Sequence, residues 1–393
     1  MITAIAFIII LSMLILIHEF GHFVAARRNG VLVEEFGLGI PPRLWGKKIG
    51  ETIYSINALP FGGFVRLFGE DLEEGEAETE DETKGEEDKK ELNMMTHPRS
   101  FMSKKPWQRA SILGAGVFMN LVLAVVCYYT LFLFTGFKTL NLPVFFDYQF
   151  KYGEITSTDT VVSAFSEESP AEMAGIEIAE AIIEIDGIKV HNVEEVREAV
   201  KDKPNQEVSV LVKDLKKNTE DVYRTVEFST TQNDEGRGLL GVLITESATI
   251  HYPNKFTAPF AHSYNMLSYT MHTFGEFVKM AVEVKSIEPV SSGVSGPVGI
   301  YTVVNSIISY GGIDAVLGLI DFVALLSLSL ALINIMPFPA LDGGRLIFVL
   351  FEVIFRKPVS PRIEGVIHKW GMIFFLGLLL LVTVKDIRQF IFF

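Results

Sequence analysis

Residues 2–26 read ITAIAFIIILSMLILIHEFGHFVAA, an apolar run that closes on His18-Glu19-Phe20-Gly21-His22. About 20 residues of apolar helix cross a bilayer, and this run is long enough. No basic segment precedes it and no small-residue cleavage site follows, so it reads as a span rather than a cleaved leader. Ionisable groups inside a span are costly unless paired or bound, which makes the polar trio a functional site by default. His18 and His22 lie four apart and share one helical face, so both imidazoles can meet one metal ion. Glu19, between them, stands where a general base takes the proton of an activated water. Zinc suits such a site because it brings the pKa of a bound water to about 7.

A catalytic zinc takes three protein ligands and keeps one position open. The first candidate for the third ligand is Asp342, in the run from Asn334 to Gly344 (NIMPFPALDGG). Pro337 and Pro339 stop the helix before it. Gly343 and Gly344 are expected to let the backbone turn tightly after it. Asp321 is the competitor, at the opposite end of the same span, and a turn or cap role is the bland reading of Asp342.

Three further stretches are long and apolar enough to span: about 112–137, 315–336 and 370–384. The loop after the first span carries Arg27, Arg28, Arg43, Lys47, Lys48, Arg99, Lys104, Lys105 and Arg109. The loop after the third carries Arg345, Arg356, Lys357, Arg362 and Lys369. Under the positive-inside rule both loops are cytoplasmic, so the segment 138–314 and both chain ends lie outside the cytosol. His18, His22 and Asp342 then share the cytosolic side of the membrane.

The composition agrees with a chain that is part membrane and part water. Of 393 residues, 49% are hydrophobic and 21% charged, with mean hydropathy +0.33. That disfavours a disordered chain and a wholly soluble enzyme. The net charge of −14 is local: residues 70–91 hold 13 acidic residues and 3 lysines, leaving −4 for the rest. The acidic stretch, 70–92, reads as a solvated cytosolic insert. With no basic stripe, a nucleic-acid partner is not expected. Cys127 is the lone cysteine, which excludes an internal disulfide and a cysteine-based zinc cluster.

Between Leu32 and Phe68 short alternating pieces are divided by Gly and Pro, the pattern of a small antiparallel sheet. Its apolar character lets it dip into the membrane, where its edges must face protein or a wet cavity. Residues 161–244 read as a compact mixed domain. Val161–Phe165 is a strand, and Ser169-Pro170 opens a short helix. Ile182–Val190 is a hairpin turning on Asp186-Gly187. Val193–Lys201 is an amphipathic helix, and Val208–Val212 and Thr225–Ser229 are strands. Phe256–Val284 is amphipathic and expected along the membrane face. His251, His262 and His272 near it read as surface residues rather than a second metal site.

The chain resembles the site-2 protease family of intramembrane zinc metalloproteases, in its regulator-of-sigma-E-protease branch. The likeness rests on His18–His22, Phe61-Gly62-Gly63-Phe64-Val65-Arg66, Gly116–Asn120, Ser295-Gly296-Pro297 and Asn334–Gly344. It implies Zn2+ held by His18, His22 and Asp342, with Glu19 as base. It also implies a membrane-reentrant β-hairpin that receives unwound substrate, with Phe61, Gly62, Gly63 and Phe64 as positioning residues. Asn120 matches a position associated with holding substrate. Val117 stands where the family often has proline, which puts the local helix geometry in question. The mixed domain resembles a circularly permuted bacterial PDZ domain, with Gly238, Leu239, Leu240, Gly241 and Val242 as its ligand loop. The implied fold is a polytopic α-helical membrane protein of about four spans with a single inserted extracytoplasmic α+β PDZ domain. Its expected parts are a membrane core at 1–137, the PDZ domain at 150–247, a juxtamembrane segment at 250–314 and a second core at 315–393. The implied setting is the inner, or plasma, membrane. The implied substrates are single-span membrane proteins, such as anti-sigma factors, or remnant signal peptides. A non-catalytic PDZ scaffold and a metal transporter are the alternatives; the complete set of His18, Glu19, His22 and Asp342 argues against the first, and the second needs neither Glu19 as a base nor a peptide-binding module.

Overall fold

The computed structural model describes residues 2–70, 96–146, 148–166, 169–215, 222–233, 236–357 and 359–391. The acidic insert, apart from Glu70, lies outside them. The first elements are α1 (Ile2–Arg28), β1 (Val33–Ile49), β2 (Thr52–Leu67), α2 (Pro106–Thr135), β3 (Leu142–Val144), β4 (Glu154–Phe165) and α3 (Pro170–Met173). Then come β5 (Glu180–Ile185), β6 (Ile188–Lys189), α4 (Val193–Lys201), β7 (Glu207–Asp214), β8 (Val222–Ser229), β9 (Thr231–Gln232), β10 (Gly238–Leu239) and β11 (Val242–His251). The remainder is helical: α5 (Ala258–Glu283), α6 (Glu288–Ser292), α7 (Pro297–Ser309), α8 (Gly312–Ile335), α9 (Asp342–Phe355) and α10 (Pro361–Ile391). Two compact units result. One holds Met1–Val126, Ser291–Asn305 and Phe322–Phe393, the other Cys127–Val290 and Ser306–Asp321.

Among the described residues four helices are long and apolar enough to cross a membrane: α1, α2, α8 and most of α10. The second begins six residues before the sequence expectation, because Pro106 is a ready first helical residue and the polar turn after it joins the helix. In the first unit α1 and α2 cross closely at Gly21, where a Cβ would lie 2.9 Å from Met119 Cγ and closer still to the Ala115 carbonyl. The glycine of the His-Glu-x-x-His segment is therefore the contact that brings the two backbones together. β1 and β2 form an antiparallel two-stranded sheet with several register shifts. Phe23, Val31, Val33, Leu67, Phe101 and Ile112 bury the root of that sheet against α1 and α2.

After α8 the two prolines bar helix continuation, as expected. The expectation of a tight turn after Asp342 is corrected. Asp342 is the first residue of α9, with Leu341 as its N-cap. Gly343 and Gly344 are there for clearance, since a Cβ on either would strike the Met336 or Phe338 carbonyl. Gly371 of α10 likewise leaves room for Pro339, whose carbonyl carbon would be 2.8 Å from an added Cβ. The short link from Ile335 to Asp342 is thereby wedged between helices.

The second unit carries a sheet in the order β3-β11-β4-β5-β7-β8, with β6 paired to β5. Period-two alternation buries Val208, Val210 and Val212 of β7 together with Val162, Ile182 and Ile185. Asp186 and Gly187 make the hairpin turn with φ of 50° and 78°, the positive values that such a two-residue loop requires. Ser169 Oγ accepts from Glu172 N at 3.2 Å and caps α3, while Asn192 Oδ1 accepts from Glu195 N at 2.8 Å and caps α4. The expectation that His262 lies at the surface is also corrected. It sits on the buried face of α5, at 2% exposure, among Tyr128, Phe132 and Tyr252.

Candidate metal centre

In the first unit α1 delivers His18 and His22 one turn apart, and the start of α9 delivers Asp342. His18 Nε2 lies 3.1 Å from His22 Nε2 and 3.0 Å from Asp342 Oδ2, and His22 Nε2 lies 3.3 Å from the same oxygen. Tetrahedral zinc with bonds of about 2.0–2.1 Å separates its ligand atoms by about 3.3 Å, so these three atoms already stand at coordination spacing. The imidazole of His22 is oriented by chemistry rather than by packing alone. Its Nδ1 is 2.8 Å from the Ile112 carbonyl, which can only accept. The proton is thus on Nδ1, and the Nε2 lone pair is left for a metal. Gly116 of α2 provides the room: a Cβ there would be 2.7 Å from His18 Nε2 and would strike His22 Nε2. Two imidazoles and a carboxylate are a donor set that zinc accepts, so the residues present fit the ion. Among the described residues no other trio of His, Cys, Asp and Glu converges in this way.

Glu19, the residue after His18, turns into a cavity of about 240 Å³. His18, Asn120, Asn334, Leu341 and Asp342 share its wall. Glu19 Oε2 accepts from Val65 N of β2 at 3.1 Å, which ties the carboxylate to the sheet. Asn120 is fully buried, with Nδ2 3.2 Å from His18 Nδ1, and Ser327 Oγ donates to its backbone carbonyl at 2.8 Å.

A model of peptidase family M50 matches residues 6–378. The zinc metalloprotease RasP of Shouchella clausii is 30% identical over 455 aligned positions, covering 98% of this chain and 99% of its own. A protein of Bacillus subtilis named regulator of sigma-W protease RasP is 28% identical, with 98% of each chain covered. The chain belongs to peptidase family M50. This M50 chain is therefore a zinc metalloendopeptidase of the site-2 protease type with several membrane-spanning helices. Zinc is its cofactor.

The remaining residues singled out from the sequence fall into two groups. Gly62 and Gly63 of β2 pack beside α1. A Cβ on Gly62 would lie 3.2 Å from Ile15, and one on Gly63 3.9 Å from Glu19 Cγ. Phe64 lies across Gly37 of β1, and Phe61 belongs to the same strand. Gly62 and Gly63 thus touch residues of the cavity wall without being part of it. The loop residues Gly238–Val242 belong to the second unit, in a groove of about 590 Å³. Its wall is apolar at Val196, Val200, Leu240, Val242 and Ile244. Asp321 belongs to the second unit and is not in the trio. Sequence reading had no use for Asn334 beyond the motif, nor for Ser327. An amide and a hydroxyl inside an otherwise apolar span were the signal available for both.

Proposed function

We propose that His18, His22 and Asp342 hold the zinc and that Glu19 is the general base in cleaving transmembrane or signal-peptide-like segments. The convergence of three ligand atoms at 3.0–3.3 Å, with Glu19 in the wall of the same cavity, carries this reading. When bound, the ion supplies Lewis-acid polarisation and a water acidic enough to react at neutral pH. Glu19 takes that proton and returns it to the leaving amine. With Oε2 held by Val65 N–H, its other oxygen is the one available to the water. Leu330 and Ile15 give the cavity apolar walls.

A transmembrane helix hides its amides in internal hydrogen bonds and must unwind before it can be cut. The β1–β2 pair supports a membrane-reentrant role in accepting it. Leu38, Ile40, Leu44, Trp45 and Ile49 are exposed apolar side chains on this sheet, suited to lipid, and a strand edge can pair with an extended peptide. Phe61, Gly62, Gly63 and Phe64 lie on the strand whose next residue, Val65, binds Glu19. They are the rail for the unwound segment in this reading.

Residues 150–247 act as a PDZ domain, with a peptide end bound against Gly238–Val242 and the apolar groove beside it. Under the positive-inside assignment the groove is outside the cytosol and the zinc centre is near the cytosolic side of the plasma membrane. The substrate class we infer is a single-span membrane protein such as an anti-sigma factor, in line with the name of the Bacillus subtilis relative. Co-expression with candidate single-span proteins, comparing wild type with Glu19→Gln, tests the reading. Wild type should convert a substrate that the variant leaves intact. Equal conversion by both would overturn it. Deleting 161–244 tests the PDZ role: cleavage of substrates with bulky outer domains should rise, while that of truncated ones stays unchanged.

A further inference from the structure

His18 has a polar partner on each side of its ring. Nε2 faces Asp342 and His22, and Nδ1 faces the side-chain amide of Asn120 at 3.2 Å. An imidazole that gives its Nε2 lone pair to a metal carries its proton on Nδ1, and that N–H needs an acceptor. For His22 the acceptor is the Ile112 carbonyl. For His18 the group within reach is Asn120. An amide exchanges its oxygen and nitrogen by a half-turn about its last bond. With nitrogen toward His18, Asn120 Oδ1 is buried without a hydrogen-bond partner among the described residues. With oxygen toward His18, the Nδ1–H gains its acceptor, and the amide nitrogen takes the place the oxygen had.

We propose that Asn120 is a positioning residue of the zinc centre, holding His18 in the tautomer and orientation of a ligand, in place of the substrate contact that the sequence suggests. The inference rests on reading His18 as a ligand. Two observations show that Asn120 is built to hold rather than to move. It is fully buried, and Ser327 of α8 fixes its backbone by donating to its carbonyl at 2.8 Å. One turn earlier on the same face of α2, Gly116 clears the space that both imidazoles occupy. The Gly116–Asn120 face of α2 is thus directed at the histidines: one residue makes room for them and the other orients one of them.

The test uses the full chain purified in detergent and stripped of metal. Zinc affinity is measured by competition with a chromophoric chelator, and the ligand field from the visible spectrum of the cobalt-substituted form. Asn120→Leu keeps the volume and removes the acceptor. It should weaken zinc binding 10–100-fold, the usual cost of losing an outer partner of a metal-bound histidine, and shift the cobalt bands. Asn120→Asp keeps an acceptor and should restore affinity to near the wild-type value. Wild-type affinity and spectrum in Asn120→Leu would overturn the inference, whatever happens to cleavage. If the leucine variant does not fold, Asn120→Ala is compared with Asn120→Asp under the same criteria. His18→Ala separates the two layers. Undiminished zinc binding there would sink the ligand assignment itself, whereas its loss there but not in Asn120→Leu would sink only the role of Asn120.

Discussion

His22 and His262 are both buried histidines whose Nδ1 meets an oxygen, yet only one is poised to bind a metal. At His22 the oxygen is a carbonyl, so the ring must donate, and its free lone pair on Nε2 looks at a second imidazole and a carboxylate. At His262 the oxygen is the Tyr252 hydroxyl, 2.9 Å away, which itself accepts from Asn265 Nδ2 at 3.0 Å. The hydroxyl still has its own proton to place, and when that proton goes to His262 Nδ1 the ring's lone pair is used up. Around it stand the rings of Tyr128, Phe132 and Tyr252, with centroids 4.4, 5.4 and 5.6 Å away, and among the described residues it belongs to no converging group of metal-binding side chains. Depth does not make a histidine a ligand. The direction of the lone pair, set by what the other nitrogen touches, does.

The largest effect should come from removing a converging group. His18→Ala or His22→Ala should abolish both zinc binding and cleavage. Glu19→Gln should keep the zinc and lower cleavage by about 10²–10⁴-fold, since an amide cannot take the proton. Metal content and cleavage measured together check this. Zinc lost in Glu19→Gln, or retained in His22→Ala, would break the contrast with His262. The corresponding His262→Gln should leave the zinc content unchanged.

Next in size is a change that touches no ligand. Gly116→Ala adds a Cβ 2.7 Å from His18 Nε2, inside contact distance. Alanine favours a helix over glycine by about 1 kcal/mol, so α2 itself is not weakened. Zinc affinity should fall by about tenfold or more while the metal-free protein stays folded. Gly114→Ala, where nothing lies within 4 Å of an added Cβ, is the control and should bind zinc normally. Equal affinity in both variants would show that the imidazoles can shift aside.

A third comparison sets metal against heat. Zinc at a free concentration of 100 times its dissociation constant stabilises a folded state that alone binds it by about 2.7 kcal/mol. Wild type and His262→Gln should therefore show the same upward shift in melting temperature on adding zinc, and His22→Ala should show none. A shift in His22→Ala would place bound zinc elsewhere on the chain.

These contrasts also mark what could be read from the chain beforehand. The His-Glu-x-x-His segment and Asp342 were legible because charge inside an apolar span is rare, and because two prolines announce a break. The hairpin turn at Asp186-Gly187 and the cap at Ser169 were legible because local chemistry decides them. The start of α9 at Asp342 was not, since its two glycines answer to carbonyls of residues 336 and 338 that only the folded link brings close. Nor was the burial of His262. Its face of α5 is covered by aromatic rings more than a hundred residues earlier, at Tyr128 and Phe132, and no local periodicity records them. The clearance at Gly116 is of the same kind, a fact about α1 that is written in α2.

The smallest expected effect concerns pH and sharpens the contrast from the side of His262. Burial pushes its pKa down from 6.5 to about 3. Between those two values the unfolded chain carries a proton on this residue that the folded chain refuses. Stability is therefore full above pH 6.5 and declines as pH falls through the window towards 3. The slope from this one residue approaches about 1.4 kcal/mol per pH unit inside the window. His262→Gln offers a side-chain oxygen to the Tyr252 hydroxyl but cannot titrate. The variant should be somewhat less stable than wild type near neutral pH, because its amide does not fill the ring-shaped space. That deficit should shrink steadily from pH 6.5 to pH 4.5, where wild type pays for refusing its proton and the variant does not. Denaturant unfolding of both proteins across that range gives the difference directly. A deficit that stays constant with pH would mean that His262 takes up its proton in the folded state. The Tyr252 hydroxyl would then have to accept rather than donate, and the two histidines would be less different than their surroundings suggest.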